Sequence, residues 1–583
     1  MILSITDGLL LPTMAENTPA YVAVTDGNNA PITNATVVVN GQTLNYDADT
    51  QRYTGLLRNE PGGSVSVSVT VAGVTYTGTQ QFFESFPTIY TFPKVEAPTN
   101  TAVWSTQMAN RIEWGGVVPR ARSSYQVGVL DPETGTLLWP AGRALQTVAY
   151  TEHSVTVPGS TLTAGTRLIV VGIVDVAEIP GARQGSGLIV GAFNSRRVSV
   201  STFQPKPTPT PATSQAVGFH IDPAHAGHAT LATGQPVFPT TSTWTTTLNN
   251  KVSYPVIAEG KVFVLTDGVL ETGTGRSLYA LNETDGSIAW GPITLPFSSF
   301  SYAAHAYDHG RIFTIDFDGR LTAYNAANGA IVWSETLQET GFFSSAPTAL
   351  NGLVYVGGPQ GELYAIDQDT GAIVWKAITP DRGTVSSPTV SADGVFVVAP
   401  CHASKFDPLT GNLLWHNDGP YSGGGAGVPG VFANNQLHFT DRCMSSPGTG
   451  RVLDAQTGSQ TGTFFGDRLP AFSDQVGYYL QTPTLMAVDL ASNTTLWSFP
   501  NASDPFTTAP IVVGDYAIAG TSSGKVYAFG PTSSAAVWTA MAPSPIEHKE
   551  EGGSPTVPGG NAVGDGYLVV PAGNTLTAWR LVP

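Results

Sequence analysis

The sequence predicts an all-β protein, an eight-bladed β-propeller preceded by two β-sandwich domains, and three observations carry that expectation. A tryptophan-marked repeat runs through the C-terminal two-thirds of the chain, and the two ends of the array are incomplete in complementary ways. A proline-threonine stretch separates this array from differently patterned chain upstream. Composition agrees, since only 12% of the 583 residues are charged while Gly (64) and Pro (43) abound, as suits short strands joined by turns.

Trp244, Trp290, Trp333, Trp375, Trp415, Trp497 and Trp538 recur at steps of roughly 40 to 46 residues. The step from Trp415 to Trp497 is double, and its missing mark falls at Gly462 in a degenerate copy, Val452-Leu453-Asp454 to Gly458. Each Trp closes one phrase, as in Leu363-Tyr364-Ala365-Ile366-Asp367, then Gly371, then Trp375. That phrase predicts a hairpin: an alternating strand, an Asp-x-x-Thr-Gly turn with Gly371 at positive φ, and a second strand ending in Trp. A further strand pair precedes each hairpin, introduced by Pro347, Pro388 or Pro555, which makes four strands per period and hence one blade. The last copy stops after Trp579 without its outer strand, and Trp244 has no strands before it. The Trp244 strand is therefore expected to complete the eighth blade and remove the open sheet edges.

The Ala-x-Asp-x-x-x-Gly-x-x-x-Trp repeat resembles the docking motif of the PQQ-like propeller family, over residues 217–583. That family contains quinoprotein dehydrogenases and the propeller lipoprotein of the outer-membrane assembly machinery. The resemblance implies tryptophans stacked between blades and, for the dehydrogenases, PQQ and a calcium ion over the propeller axis. Other dehydrogenase marks are missing from the sequence: Cys401 and Cys443 are far apart rather than adjacent, and there is no Cys-x-x-Cys-His haem motif.

Upstream, residues 1–16 read as a lead, with no basic start and with Asp7 interrupting the apolar run, a poor signal peptide. Residues 17–95 alternate small polar residues with valine, with turns at Asp26-Gly27 and Asn40-Gly41, and resemble bacterial immunoglobulin-like modules. Residues 96–203 carry Trp114, the strand Tyr125 to Leu130, and Leu162 to Leu168 leading into Val170 to Val174, and resemble a fibronectin type III sandwich. Residues 204–216, Pro/Thr-rich, are expected to be an extended semi-rigid linker.

The formal charge of -17 is spread thinly, without a Lys/Arg cluster to meet a phosphate backbone, so nucleic acid is not an expected partner. No apolar run is long enough to span a bilayer as a helix. Low lysine, two cysteines and abundant Thr, Gly and Asn point to an extracellular, cell-surface or periplasmic setting.

Residue chemistry offers few sites. Cys401 and Cys443 follow equivalent strands of neighbouring blades and are expected to form a disulfide, two buried thiols being the alternative. His220, Asp222, His225 and His228 form the densest cluster of ligand types, but with no helix or hairpin to fix them they read as a propeller cap bonded to backbone rather than a metal site. Asp316-Phe317-Asp318-Gly319 and Asp47-Ala48-Asp49 lack the later Glu of a calcium loop and read as turns. The Gly-rich stretch Gly419 to Gly430 has no phosphate-loop Lys and reads as an inter-blade loop, with His416 and Tyr421 as candidate partner-facing residues.

No catalytic, cofactor-binding or metal-ligating residue is therefore predicted, and no cofactor. The expected function is a non-catalytic binding or scaffold protein that presents a propeller loop face to a protein or glycan at the cell surface. Two alternatives stand beside it: a self-associating subunit of a multi-copy surface assembly, and a PQQ-dependent oxidoreductase or other propeller enzyme.

Overall fold

Short strands closed by Asp- and Gly-bearing turns build the whole described chain. The computed structural model describes residues 4–5, 17–26, 30–48, 51–58, 64–81, 94–97, 103–105, 109–115, 123–141, 145–149, 151–158, 161–162, 165–178, 187–201, 206–207, 213–269, 274–337, 342–380, 386–399, 402–419, 428–440, 449–547 and 557–582. The elements formed by these residues are all strands, and no helix among them is long and apolar enough to cross a membrane. The chain divides into two compact units, Met1–Phe203 and Gln204–Pro583.

Among the described residues, the first unit holds two larger apolar cores and a small third cluster. In one, Asn40 (φ 48°) and Gly41 (φ 79°) make the two-residue turn between Thr36–Val39 and Gln42–Asp47, a conformation that favours Asn-Gly. The period of two then points Val37, Val39, Val67 and Val69 the same way, and they bury together with Val22, Leu44 and Tyr53 in a seven-stranded sheet. In the other core, Trp114 meets Tyr125 edge-on at 5.1 Å beside Trp104, Ile112, Val127, Ile169 and Val171. The run at Leu168 is buried on both faces, Ile169 and Val171 in that core and Leu168 and Val170 against Leu130.

The second unit contains eight sheets built on four antiparallel strands each among the described residues, and one of them carries a fifth strand, His228–Ala229, parallel to Ile511–Val513. The eighth is assembled from both ends of the unit: Trp244–Thr247 pairs with Thr575–Arg580, Trp244 opposite Ala578. In each sheet the second strand is largely buried, such as Gly394–Ala399, whereas the fourth is generally the more exposed, as in Ile331–Thr336, with Ile373–Ile378 an exception that buries Val374, Trp375 and Ala377. The first strands lie side by side: Val256–Ala258 neighbours both Ala562–Gly564 and Ala303–Asp308.

Neighbouring sheets are joined through the tryptophans. The indole N–H of Trp290 donates to Ala326 O (3.0 Å), Trp333 to Gln368 O (2.8 Å), Trp375 to Pro408 O (3.0 Å) and Trp415 to Ala455 O (3.0 Å), each acceptor lying in the turn of the next sheet. Trp244 and Trp497 do the same to Glu283 O and Gly530 O, and Trp538 donates to Pro239 O in the segment that leads into the closing Trp244 strand. The turn is built by its Asp: Asp407 Oδ1 accepts the N–H groups of Leu409 (3.0 Å) and Thr410 (2.8 Å), and Gly411 follows at φ 68°. A Cβ on Gly411 would stand 2.6 Å from the Trp375 ring, so this glycine is required twice, for its φ and for the indole lying on it.

The described part of the Pro/Thr-rich stretch is tied down. The Lys206 N–H donates to Asn351 O (2.9 Å), its ammonium pairs with Asp369, and Pro207 O faces His309 Nε2 (3.1 Å). Pro207 O thus meets a ring nitrogen from the turn of the second sheet, whereas toward the third sheet Lys206 is the donor, to Asn351 O and the Asp369 carboxylate.

Candidate functional site

Two places in the second unit bring ligand-type side chains together. The first is the segment 216–229. Ala216 exchanges hydrogen bonds with Ile257 of the first sheet, and Val217 O accepts from Tyr307 N of the second (2.7 Å). Pro223 O accepts from Val390 N of the fourth sheet, Ala224 O from Phe432 N of the fifth, Ala226 O from Phe472 N of the sixth and Gly227 O from Val512 N of the seventh. The third sheet is met by His225 Nε2, 3.5 Å from Thr348 Oγ1, and the eighth through Ser214 O, which accepts from Asp565 N (2.9 Å). The stretch from Ser214 to Ala229 thus reaches the innermost strand or its turn in each of the eight sheets.

The ligand-type residues of that segment are bonded to its own backbone and to the strands around it. His220 Nδ1 lies 2.6 Å from His225 O, and Nε2 lies 2.9 Å from Pro510 O. Gly227 (φ 64°) keeps this packing open, since a Cβ there would sit 2.6 Å from the His220 ring. Asp222 Oδ1 accepts the N–H of Ala226 (3.2 Å), and burial, only partly offset by backbone N–H groups, raises its carboxyl to about 6. His225, sealed in, is held down to about 3 by burial and by His220. The group therefore works as a plug bonded to backbone. Among the described residues, this segment offers no open donor set to a quinone and its cation, its His220, Asp222 and His225 side chains being already bonded.

The second place is one face of the fourth sheet. Ser404 pairs directly with His416 across His402–Phe406 and Leu413–Asn417, so the period of two sets His402, Ser404, His416 and Asp418 on one side and Lys405 and Trp415 on the other. His416 Nε2 lies 2.8 Å from Asp418 Oδ1, and its Nδ1 lies 2.8 Å from Ser404 Oγ. His402 Nδ1 is 3.8 Å from the same Asp418 oxygen and takes a long 3.3 Å bond from the Gly419 N–H. The two imidazoles are near-parallel, 5.9 Å apart. His402 is buried, whereas the Asp418 side chain is 80% exposed, so the group opens to solvent at its carboxylate.

Of the residues singled out in the sequence, His416 is thus placed in a defined cluster. Cys401, Cys443 and Tyr421 lie outside the described residues. His402 and Asp418 were missed: their separation of 16 residues carries no motif, and only hairpin register brings them to His416. Asp316 is a turn as expected, its Oδ1 accepting from Asp318 N (3.1 Å) and Arg320 N (2.9 Å).

Residues 292–418 and 402–575 match a family model described as outer membrane protein assembly factor BamB. No curated protein matches the chain. Among solved structures, BamB from Moraxella catarrhalis is similar at 17% identity, covering 59% of this chain and 100% of that one with a TM-score of 0.44. A quinohemoprotein alcohol dehydrogenase from Pseudomonas putida HK5 is similar at 13% identity, covering 63% and 80% with a TM-score of 0.47. A europium-containing methanol dehydrogenase stands at 16% identity, 63% and 91% coverage, and a TM-score of 0.49. What the chain carries from 292 to 575 is therefore a repeat array similar to the BamB family model.

Proposed function

We propose that this chain is a non-catalytic binding or scaffold protein of the periplasm or cell surface, which presents the loop face of a closed eight-bladed propeller, residues 217–583, to a protein partner. In this reading residues 17–95 and 96–203 are immunoglobulin-like and fibronectin type III-like modules that extend or dock the propeller, and 204–216 joins them to it. The observation that carries the reading is the plug: the chain from Ser214 to Ala229 bonds the innermost strand or its turn in all eight sheets, which favours a ring filled by its own backbone over one that holds a quinone. The similarity of residues 292–575 to the BamB family model supports it as well. A rigid ring of sheets with an occupied centre has only its outer loops left to offer, and loops on a rigid scaffold are where binding residues gather.

Native mass spectrometry of the protein released gently from its own source tests this, together with addition of PQQ and calcium to the purified protein. The expected result is a stoichiometric protein partner, no retained quinone and no dye-linked alcohol oxidation. Retention of PQQ with alcohol oxidation overturns the proposal.

A further inference from the structure

We infer that His402, His416 and Asp418 form a binding site for a divalent transition-metal ion of the zinc type, with at least one coordination position open to solvent. One imidazole nitrogen from each histidine and one carboxylate oxygen lie within 4.8 Å of one another. A tetrahedral site with bonds of about 2.0–2.2 Å sets its ligand atoms roughly 3.3 Å apart. The measured separations from Asp418 Oδ1, 2.8 Å to His416 Nε2 and 3.8 Å to His402 Nδ1, lie on either side of that value. Shifts of a few tenths of an ångström in the exposed Asp418 side chain bring both into range.

The surroundings favour an ion over a chance contact. Ser404 Oγ holds Nδ1 of His416, which fixes the ring and turns Nε2 toward the carboxylate, the outer-shell arrangement that orients metal-bound imidazoles. Both histidines stand on paired strands of one sheet, so their spacing is set by hairpin register rather than by a loop. Two neutral nitrogens and one carboxylate suit zinc and its late first-row neighbours better than calcium or magnesium, which take mostly oxygen. Three protein ligands leave a fourth position for water or for a donor from another molecule. An ion ligated at His402 Nδ1 takes the place of the long Gly419 hydrogen bond.

The test is a zinc titration of the chelator-treated full-length protein by calorimetry and native mass spectrometry, with cobalt(II) absorption as a second readout of coordination. The expected result is one zinc per chain, at a dissociation constant on the order of micromolar or tighter. Asp418→Asn is the principal variant because an exposed side chain leaves folding intact; it and His416→Gln should each weaken zinc by about 10- to 100-fold. His228→Ala, in the other histidine-rich segment, should bind as wild type. Absence of a stoichiometric zinc, or a change of less than about threefold in both Asp418→Asn and His416→Gln, overturns the site.

Discussion

The junction between the fourth and fifth sheets and the one between the fifth and sixth do the same job with different parts. At the first, the Trp415 ring lies on Gly458 of the next turn, where a Cβ would stand 2.7 Å from it, and its N–H reaches Ala455 O at 3.0 Å. At the second, Gly462 holds the tryptophan position, opposite Val452 as Trp415 is opposite Lys405, and Asn493 (φ 53°) holds the turn position of Gly458. The aromatic contribution has moved two residues along the same face, to Phe464. Its ring covers Gly450, directly across the strand pair, and packs against Tyr479 of the sixth sheet at 5.2 Å. Tryptophan and glycine are thus lost together, and a phenylalanine lying over a different glycine covers the gap. A flat aromatic thus stands at both junctions, over a glycine of the next turn at the first and over a glycine of its own sheet at the second, so the position that supplies it can shift.

The largest test of that equivalence is truncation on each side. Trp415→Ala removes a ring only 9% exposed and leaves Ala455 O without its indole donor, so a loss of about 5 kcal/mol is expected in urea unfolding. Phe464→Ala should cost about 4 kcal/mol, because its ring is as deeply buried but carries no hydrogen bond. A loss below about 1 kcal/mol for Phe464→Ala would show that the fifth junction is held by something else.

The same comparison marks what could be read in the sequence. The repeat, its turns and the closing Trp244 strand were legible because each copy repeats the phrase that makes a hairpin. The phrase is nevertheless a hairpin signal before it is a propeller signal. Asp131-Pro132-Glu133-Thr134-Gly135 to Trp139, in the first unit, folds the same way: Asp131 Oδ1 accepts from Glu133 N and Thr134 N (3.0 Å each), and Val129 pairs with Trp139 as Lys405 does with Trp415. What no local pattern could supply was distance in three dimensions. Segment 216–229 has no strand signal, because its hydrogen-bond partners are spread over sheets that begin between Val256 and Ile511. The His402–His416–Asp418 group was legible only at His416, since its other members join through register.

Acid should separate the two junctions next. His438, 4% exposed, packs 4.5 Å from Phe472 at the fifth junction, and burial lowers it to about 4. A histidine whose folded value lies below its ordinary 6.5 binds fewer protons folded than unfolded. Its contribution is therefore intact above pH 6.5 and is lost as pH falls toward 4. The raised carboxyls of Asp222 and Asp565, both near 6, act in the opposite sense, so the informative quantity is wild type minus variant. Unfolding free energies at pH 7 and pH 4 should show His438→Leu losing about 3 kcal/mol less than wild type over that interval. Equal losses would place the titrating histidine elsewhere.

The smallest effect is the most specific. Restoring the missing pair, Gly462→Trp with Asn493→Gly, asks whether tryptophan and turn glycine act as a unit. Gly462→Trp alone brings a large ring toward a junction that Phe464 already fills and a turn that carries an asparagine side chain, so overpacking should cost about 1–3 kcal/mol. Asn493→Gly alone should move stability by less than about 0.5 kcal/mol, since asparagine tolerates the left-handed turn nearly as well as glycine. If the indole needs a surface without Cβ, the double variant is more stable than the sum of the singles by about 0.5–1 kcal/mol, read from a four-member cycle of urea midpoints. Strict additivity would mean that the turn glycine serves only its own φ. Trp497 gives reason to take that outcome seriously, because it already docks on Gly530 O at 3.2 Å across a turn with Ser534, not glycine, at the place of Gly458.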